Sequence, residues 1–194
     1  MSPARGCDMR KLKVFNHVSL DGYFTDGRGD LSWAKEGTDD EQNRFTTERA
    51  EGGGVLLFGR VTYELMAGFW PTPEAAEALP EVAERMNNLP KVVFSGTLGE
   101  ARWNNTTLVR TDPLGCVRRM KAESGPDLAI LGSGSIVAQL AGTGLIDEYE
   151  FMLNPLALGA GRTLFEGLQE QLHLRLLRSH VLKNGKVFLC YGPA

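Results

Sequence analysis

Cysteine is scarce: Cys7, Cys116 and Cys190 are the only three in 194 residues, odd in number and far apart. That excludes a disulfide framework and points to a reducing, cytoplasmic setting. No CxxC pair occurs, and no histidine stands at metal-ligand spacing from a cysteine, so no metal is expected. Long apolar runs are missing too; none approaches the roughly 20 residues of a membrane span. The start, MSPARGCDMRK, lacks the apolar centre of a signal peptide. Neither sign of charge dominates, since 21 Lys and Arg face 24 Asp and Glu. Without a basic face, nucleic acid is not an expected partner. GxSxG, GxGxxG and the P-loop are all absent, which removes the common hydrolase, Rossmann and NTPase signatures. His17, His173 and His180 have no Ser or Cys partner in a recognisable motif and read as structural or exposed.

What is present is an ordinary globular balance, 42% hydrophobic and 23% charged, enough to bury one core. Residues 1–9 read as a flexible tail and residues 10–194 as a single domain. Strand signals recur at Leu12–Ser19, Val55–Phe58, Val92–Ser95, Thr107–Val109, Leu128–Leu131 and Glu148–Leu153. Several are short continuous apolar runs, as expected of strands covered on both faces. Helical stretches fall between them. Thr38 and Glu41 form a capping box ahead of DEQNRFTTERAE. Thr62 can cap YELMAG, Pro80–Asn88 carries proline in its first turn, and Asp112-Pro113 opens a helix through Ala122. Ser133 or Ser135 opens IVAQLAG. Pro71–Glu77 reads as a loop. Alternating strands and helices imply a three-layer α/β fold with a mostly parallel sheet. The chain then changes character: LHLRL alternates from Leu172 to Leu176, and Asn184-Gly185 sits between two further apolar runs. That is a strong hairpin signal, so the C-terminal strands are expected to be antiparallel.

In an open parallel sheet, ligands bind beyond the C-terminal strand ends. Three junctions there suit a dinucleotide. Gly59-Arg60-Val61-Thr62 offers a close backbone turn, a planar phosphate-binding fork and a hydroxyl at a helix start; a capped helix with a solvated arginine is the plainer alternative. Ser95-Gly96-Thr97 offers small polar groups, as an ordinary turn would. Leu131-Gly132-Ser133-Gly134-Ser135-Ile136 is a glycine-rich strand-to-helix loop whose N–H groups can meet an anion.

Four segments in this order resemble the dihydrofolate-reductase-like superfamily, and within it the bacterial proteins that share the reductase domain of bifunctional riboflavin-biosynthesis deaminase-reductases. They are Ser19-Leu20-Asp21-Gly22-Tyr23-Phe24, Phe58 to Glu64, Leu131 to Ser135, and Gly144 to Tyr149; the resemblance runs from about Lys11 to Tyr191. It implies NADPH as hydride donor. Gly59, Arg60 and Thr62 would hold its phosphates, Ser95, Gly96 and Thr97 would lie on the adenosine side, and Leu131 to Ile136 would pack on the pyrophosphate and nicotinamide ribose. Asp21 to Trp33 resembles the mobile loop that closes over the nicotinamide. The implied activity is hydride transfer to a pterin-like or 5-amino-6-(5-phosphoribosylamino)uracil-like substrate. A true dihydrofolate reductase and a non-catalytic nucleotide or pterin binder are the alternatives. Dimers are common in the family, and an exposed antiparallel edge would need covering, so a homodimer is expected.

The substrate end is harder to read. Asp39 is the candidate for the reductase acid on the first helix, although acids in a first turn also serve the helix dipole and capping box. Asp21 could contact substrate or order its loop. Asn16, Trp33, Phe69 and Arg162 are candidate substrate contacts, each with a plain packing or surface alternative; Trp70 could join them, and Trp103 reads as packing.

Overall fold

The computed structural model describes residues 10–50 and 54–194. The tail expected over residues 1–9 lies outside the described residues, as does Glu51 at the end of the first expected helix. The chain runs β1 (Leu12–Ser19), β2 (Tyr23–Asp26), α1 (Asp40–Ala50), β3 (Val55–Gly59), α2 (Arg60–Phe69), α3 (Pro73–Ala78), α4 (Pro80–Asn88), β4 (Lys91–Phe94) and β5 (Thr106–Val109). It continues through α5 (Pro113–Ala122), β6 (Leu128–Leu131), α6 (Gly134–Leu140), β7 (Glu148–Asn154), β8 (Gly161–Thr163), β9 (Leu174–Val181) and β10 (Val187–Pro193). Eight strands form one sheet in the order β5-β4-β3-β6-β1-β7-β10-β9. All pairs from β5 to β7 are parallel, and β10 joins β7 and β9 antiparallel, as the hairpin signal predicts.

The alternation of side chains along a strand divides the core between the sheet's two faces. Val55 and Leu57 of β3, Val92 and Phe94 of β4, and Leu128 and Ile130 of β6 pack with Val117 of α5 and Ile136, Val137 and Leu140 of α6. Their neighbours Leu56, Phe58 and Val93 point the other way, onto Tyr63 of α2 and Val82 and Met86 of α4. Continuous apolar runs are therefore required in β3 and β4, because every residue of these strands meets a helix layer. The second face continues under β7 and β10, where Met152, Phe188 and Cys190 pack with Phe15 and Phe45.

Five local expectations need correction. The cap of α1 is Asp39, whose Oδ1 accepts from Gln42 N at 2.9 Å; Thr38 instead donates its hydroxyl to Lys35 O. α2 starts at Arg60, so Thr62 lies inside its first turn and its hydroxyl is turned toward another loop. Pro73–Ala78 is a short helix capped by Thr72, where a loop is expected. LHLRL is only the start of one long strand, which runs to Val181 because β10 supplies a partner along its whole length. Last, Tyr23–Asp26 and Gly161–Thr163, read as parts of a mobile loop and a glycine turn, pair as a two-stranded ribbon. Both are very short, and their pairing spans more than a hundred residues of chain, so local pattern carries no sign of it.

Candidate functional site

The C-terminal ends of the parallel strands share one edge, and the expected junctions meet there. β3 and β6 are neighbours, with Leu57 opposite Ile130, which sets the Gly59 turn beside the Gly132 loop. The two junctions are interlocked. Gly59 N donates to Ser133 Oγ at 3.0 Å, and Ser133 N donates to Thr62 Oγ1 at 3.0 Å. Ser133 Oγ in turn donates to Leu131 O at 3.3 Å. Gly132 N donates to Phe15 O at 3.0 Å, tying the same loop to β1.

Glycine is needed where these segments touch. Gly132 has φ +62°, and a Cβ there would stand 3.2 Å from Thr62 Cγ2. A Cβ on Gly134 would come within 2.2 Å of the Phe24 ring. Ser133 itself has φ 55°, a left-handed conformation held by the three bonds around it. Neither α2 nor α6 has a side-chain cap, so first-turn N–H groups of both helices face this edge. Two uncapped helix starts over backbone brought close by glycine form a cradle fit for a diphosphate. Ile136 is buried against Gly59, and Leu131 packs in the core on the α2 side.

Arg60 lies at this edge, half exposed, its Nη1 donating to Glu64 Oε2 at 2.8 Å. Farther along, Ser95 Oγ accepts from Thr97 N and Leu98 N, folding Ser95-Gly96-Thr97 into a tight turn at the end of β4. Arg110, which sequence reading passed over, holds that turn by donating to Leu98 O and Gly99 O.

On the β1–β7 side, Asp21 accepts from Ser19 Oγ at 2.6 Å, from Gly159 N at 2.7 Å and from Leu158 N at 3.1 Å. These bonds, the serine's foremost, pull its pKa down to about 2. Of its two expected roles, loop ordering is the one these contacts describe. Trp33 is buried, with Nε1 donating to Asp30 O. Phe69 stacks edge-on against Trp70, and Lys35 Nζ lies 4.4 Å from its ring centroid. The Ser32–Lys35 turn thus meets the C-terminal end of α2, a helix whose Val61 and Leu65 are exposed.

Asn16 is buried on the opposite face of β1, with Leu12 and Val14, and its Oδ1 has no partner among the described residues. Arg162 is exposed beside Phe24, 5.8 Å from the ring centroid. Asp39 sits half-buried at the start of α1, close enough to Lys186 to act on it electrostatically.

Two further groups stand here: His17, which the sequence reads as structural or exposed, and Lys186, which it does not single out. His17 lies on the same face of β1 as Phe15, and Asn154 Nδ2 approaches its Nδ1 at 3.4 Å. Lys186, in the turn between β9 and β10, is buried and donates to Ala34 O. Burial above all, then the Lys186 charge, pushes His17 down to about 4. Nothing in the local sequence marks either residue, because each gains its surroundings from strands far away in the chain.

One further cluster lies toward the other end of β7. Ligand atoms of Glu148, Glu150 and Cys190 come within 4.8 Å of one another. Arg178 Nη2 donates to Glu148 Oε2 at 2.8 Å and to Glu150 Oε1 at 3.4 Å, and stands 3.2 Å from Cys190 Sγ. Burial alone would raise Glu148, but Lys11 and Arg178 outweigh it and hold the carboxyl low. A guanidinium therefore fills the position a cation would take.

Among the described residues no helix is long and apolar enough to cross a membrane. The model of the RibD C-terminal domain matches residues 10–188. YyaP of Bacillus subtilis (strain 168), an uncharacterized protein, is 25% identical over 186 residues, 94% of each chain. Among solved structures, a Shewanella sp. PV-4 protein ascribed to riboflavin biosynthesis superposes with a TM-score of 0.74 at 23% identity, covering 95% of this chain and 99% of its own. Enterococcus faecalis dihydrofolate reductase, in complex with NADP(H), superposes with a TM-score of 0.62 at 14% identity, covering 94% and 96%. The fold is dihydrofolate-reductase-like, and the chain belongs to the RibD C-terminal domain family.

Proposed function

We propose that this protein is an NADPH-dependent reductase that transfers hydride to a small heterocyclic or sugar-linked substrate, of the 5-amino-6-(5-phosphoribosylamino)uracil or pterin kind. The observation that carries the reading is the interlock of Gly59, Thr62 and Ser133, which holds two uncapped helix starts side by side at adjacent strand ends. When bound, the nicotinamide supplies the hydride. The chain's part is to bind, orient and exclude water. First-turn N–H groups of α2 and α6 take the diphosphate. Arg60 swings from Glu64 to a phosphate, and Ser95 to Thr97 border the adenosine side. The β2–β8 ribbon, fastened by Asp21, closes the β1 side, with Trp33, Phe69 and Arg162 toward the acceptor.

Asp39 is the acid we assign to proton delivery, and its bond to Gln42 N offers a separable test. Asp39→Ser keeps a helix cap and removes the acid, so turnover should fall while stability holds. Calorimetric titration with NADPH tests the whole reading; saturable micromolar binding is expected, and none at millimolar cofactor would sink it. Arg60→Ala should weaken NADPH about tenfold more than NADH, the worth of one charge-assisted contact. Binding without oxidation across pterin, pyrimidine and quinone acceptors would turn the reading into the non-catalytic alternative.

We further assign a homodimer formed through β9. It is an edge strand with Leu176, Leu177 and Val181 exposed, a surface monomers usually protect. Light scattering should give twice the chain mass at micromolar concentration. A reducing cytoplasm suits Cys116 and Cys190, the free thiols among the described residues.

A further inference from the structure

The neighbours of His17 favour one imidazole tautomer. Asn154 sits at the end of β7 with its side chain fully buried. Its Nδ2 donates to Met152 O at 2.8 Å and to Val18 O at 3.2 Å. Two carbonyl acceptors fix the amide with nitrogen toward them; the flipped amide would set oxygen against oxygen. The same nitrogen stands 3.4 Å from His17 Nδ1; with its two hydrogens directed at the carbonyls it offers no lone pair to an Nδ1–H, which favours the ring proton on Nε2. Phe15 supports the ring edge-on, at 84° between planes.

His17 Nε2 has no partner among the described residues, yet it is not one of their sealed-off buried polar atoms. It therefore keeps some access to solvent near the C-terminal end of β1. The place is significant because Gly132 N is bonded to Phe15 O, two residues earlier on the same strand. The donor thus stands next to the loop assigned to the cofactor, on the face that also carries α1 and α2. Lys186, from the β9–β10 turn, is the charged group that acts on the ring, and it is itself acted on by Asp39 and Glu36. A recessed ring beside a buried cation stays neutral at physiological pH, and a neutral imidazole donates without needing a counter-charge.

We infer that His17 reads the oxo edge of the hydride acceptor: its Nε2–H donates to a ring carbonyl oxygen, and Asn154 is the positioning residue that fixes the tautomer. This rests on the proposed reductase reading and adds a specificity rule to it. Acceptors presenting a carbonyl at that position are favoured over those presenting an amino group, which would place donor against donor.

Two measurements test it. Nitrogen-15 NMR of the histidine rings should show His17 protonated on Nε2 and still neutral at pH 5.5; Asn154→Asp should shift the proton to Nδ1 and raise the ring's pKa. Uracil and 2,4-diaminopyrimidine are then titrated with and without NADP+. Uracil should move the His17 Nε2 signal and bind at least tenfold more weakly to His17→Leu. His17→Gln, which keeps a donor, should recover most of the loss, and NADPH affinity should stay within twofold in both variants. The inference is overturned by a ring protonated on Nδ1, by titration near pH 6.5, by equal uracil affinity in His17→Leu, or by wild-type protein that takes no uracil. Loss of NADPH binding in the wild type would instead overturn the reductase reading, leaving the cofactor-free uracil and tautomer results to judge His17 separately.

Discussion

At the β3–β6 end of the cleft, short bonds between neighbouring loops engage the polar groups: Gly59 N, Ser133 Oγ, Ser133 N and Thr62 Oγ1 close on one another. On the β1–β7 side of the sheet, Asn154 Oδ1 and, on the face opposite to His17, Asn16 Oδ1 are buried without partners among the described residues, and His17 leaves one nitrogen open. The first end is a rigid frame made from backbone and small side chains, suited to a ligand whose shape never varies. The second holds its polarity in larger side chains set in a partly apolar wall, an arrangement that can differ from one relative to the next without disturbing the frame. Unpaired buried acceptors cost stability, so their concentration at one end marks where folding has been compromised for something else.

The sharpest way to break the frame is to fill it. Gly134→Ala sets a methyl 2.2 Å from the Phe24 ring, and Phe24 is itself buried. Overpacking of this kind costs about 1–3 kcal/mol. Thermal melting should fall by several degrees, and NADPH affinity should drop more than tenfold. Ser133→Ala strikes the interlock next: it leaves the buried Gly59 N–H without its acceptor, a loss of about 1–3 kcal/mol measurable by urea unfolding.

The other end should declare itself through pH. His17 has its folded pKa depressed to about 4, so the unfolded chain binds the proton more readily. Its contribution is complete above pH 6.5 and is lost as pH falls toward 4. Denaturation midpoints over that window should slope less steeply in His17→Gln than in the wild type. The smallest stability effect is expected at Arg60→Ala. Its ion pair with Glu64 is surface-exposed, worth about 0–1 kcal/mol, so melting should barely move even though cofactor discrimination does.

The frame was largely legible in the chain. VLLF followed by Gly59, and LAIL followed by Gly132, announce buried strands ending in turns that need glycine, and these signals are local. The β2–β8 ribbon, the role of Asp39 as a cap and the identity of His17 were not. Tyr23–Asp26 becomes a strand only when Gly161–Thr163 arrives beside it. Asp39 and Thr38 are equally good caps on paper, and the choice falls to whichever carboxyl or hydroxyl reaches Gln42 N. His17 looked like a solitary histidine because Asn154 lies 137 residues away.

The sequence alone determined the order of the main-sheet strands and of the longer helices between them, the antiparallel ending and the three glycine-bearing junctions. Apolar periodicity and the conformational needs of glycine act over a few residues and can be read one segment at a time. Only the tertiary structure decided which polar groups face each other across the sheet's edge. Gly59 reaches Ser133, Asp21 reaches Gly159 and Asn154 reaches His17 through strand order and register, which are properties of the whole sheet.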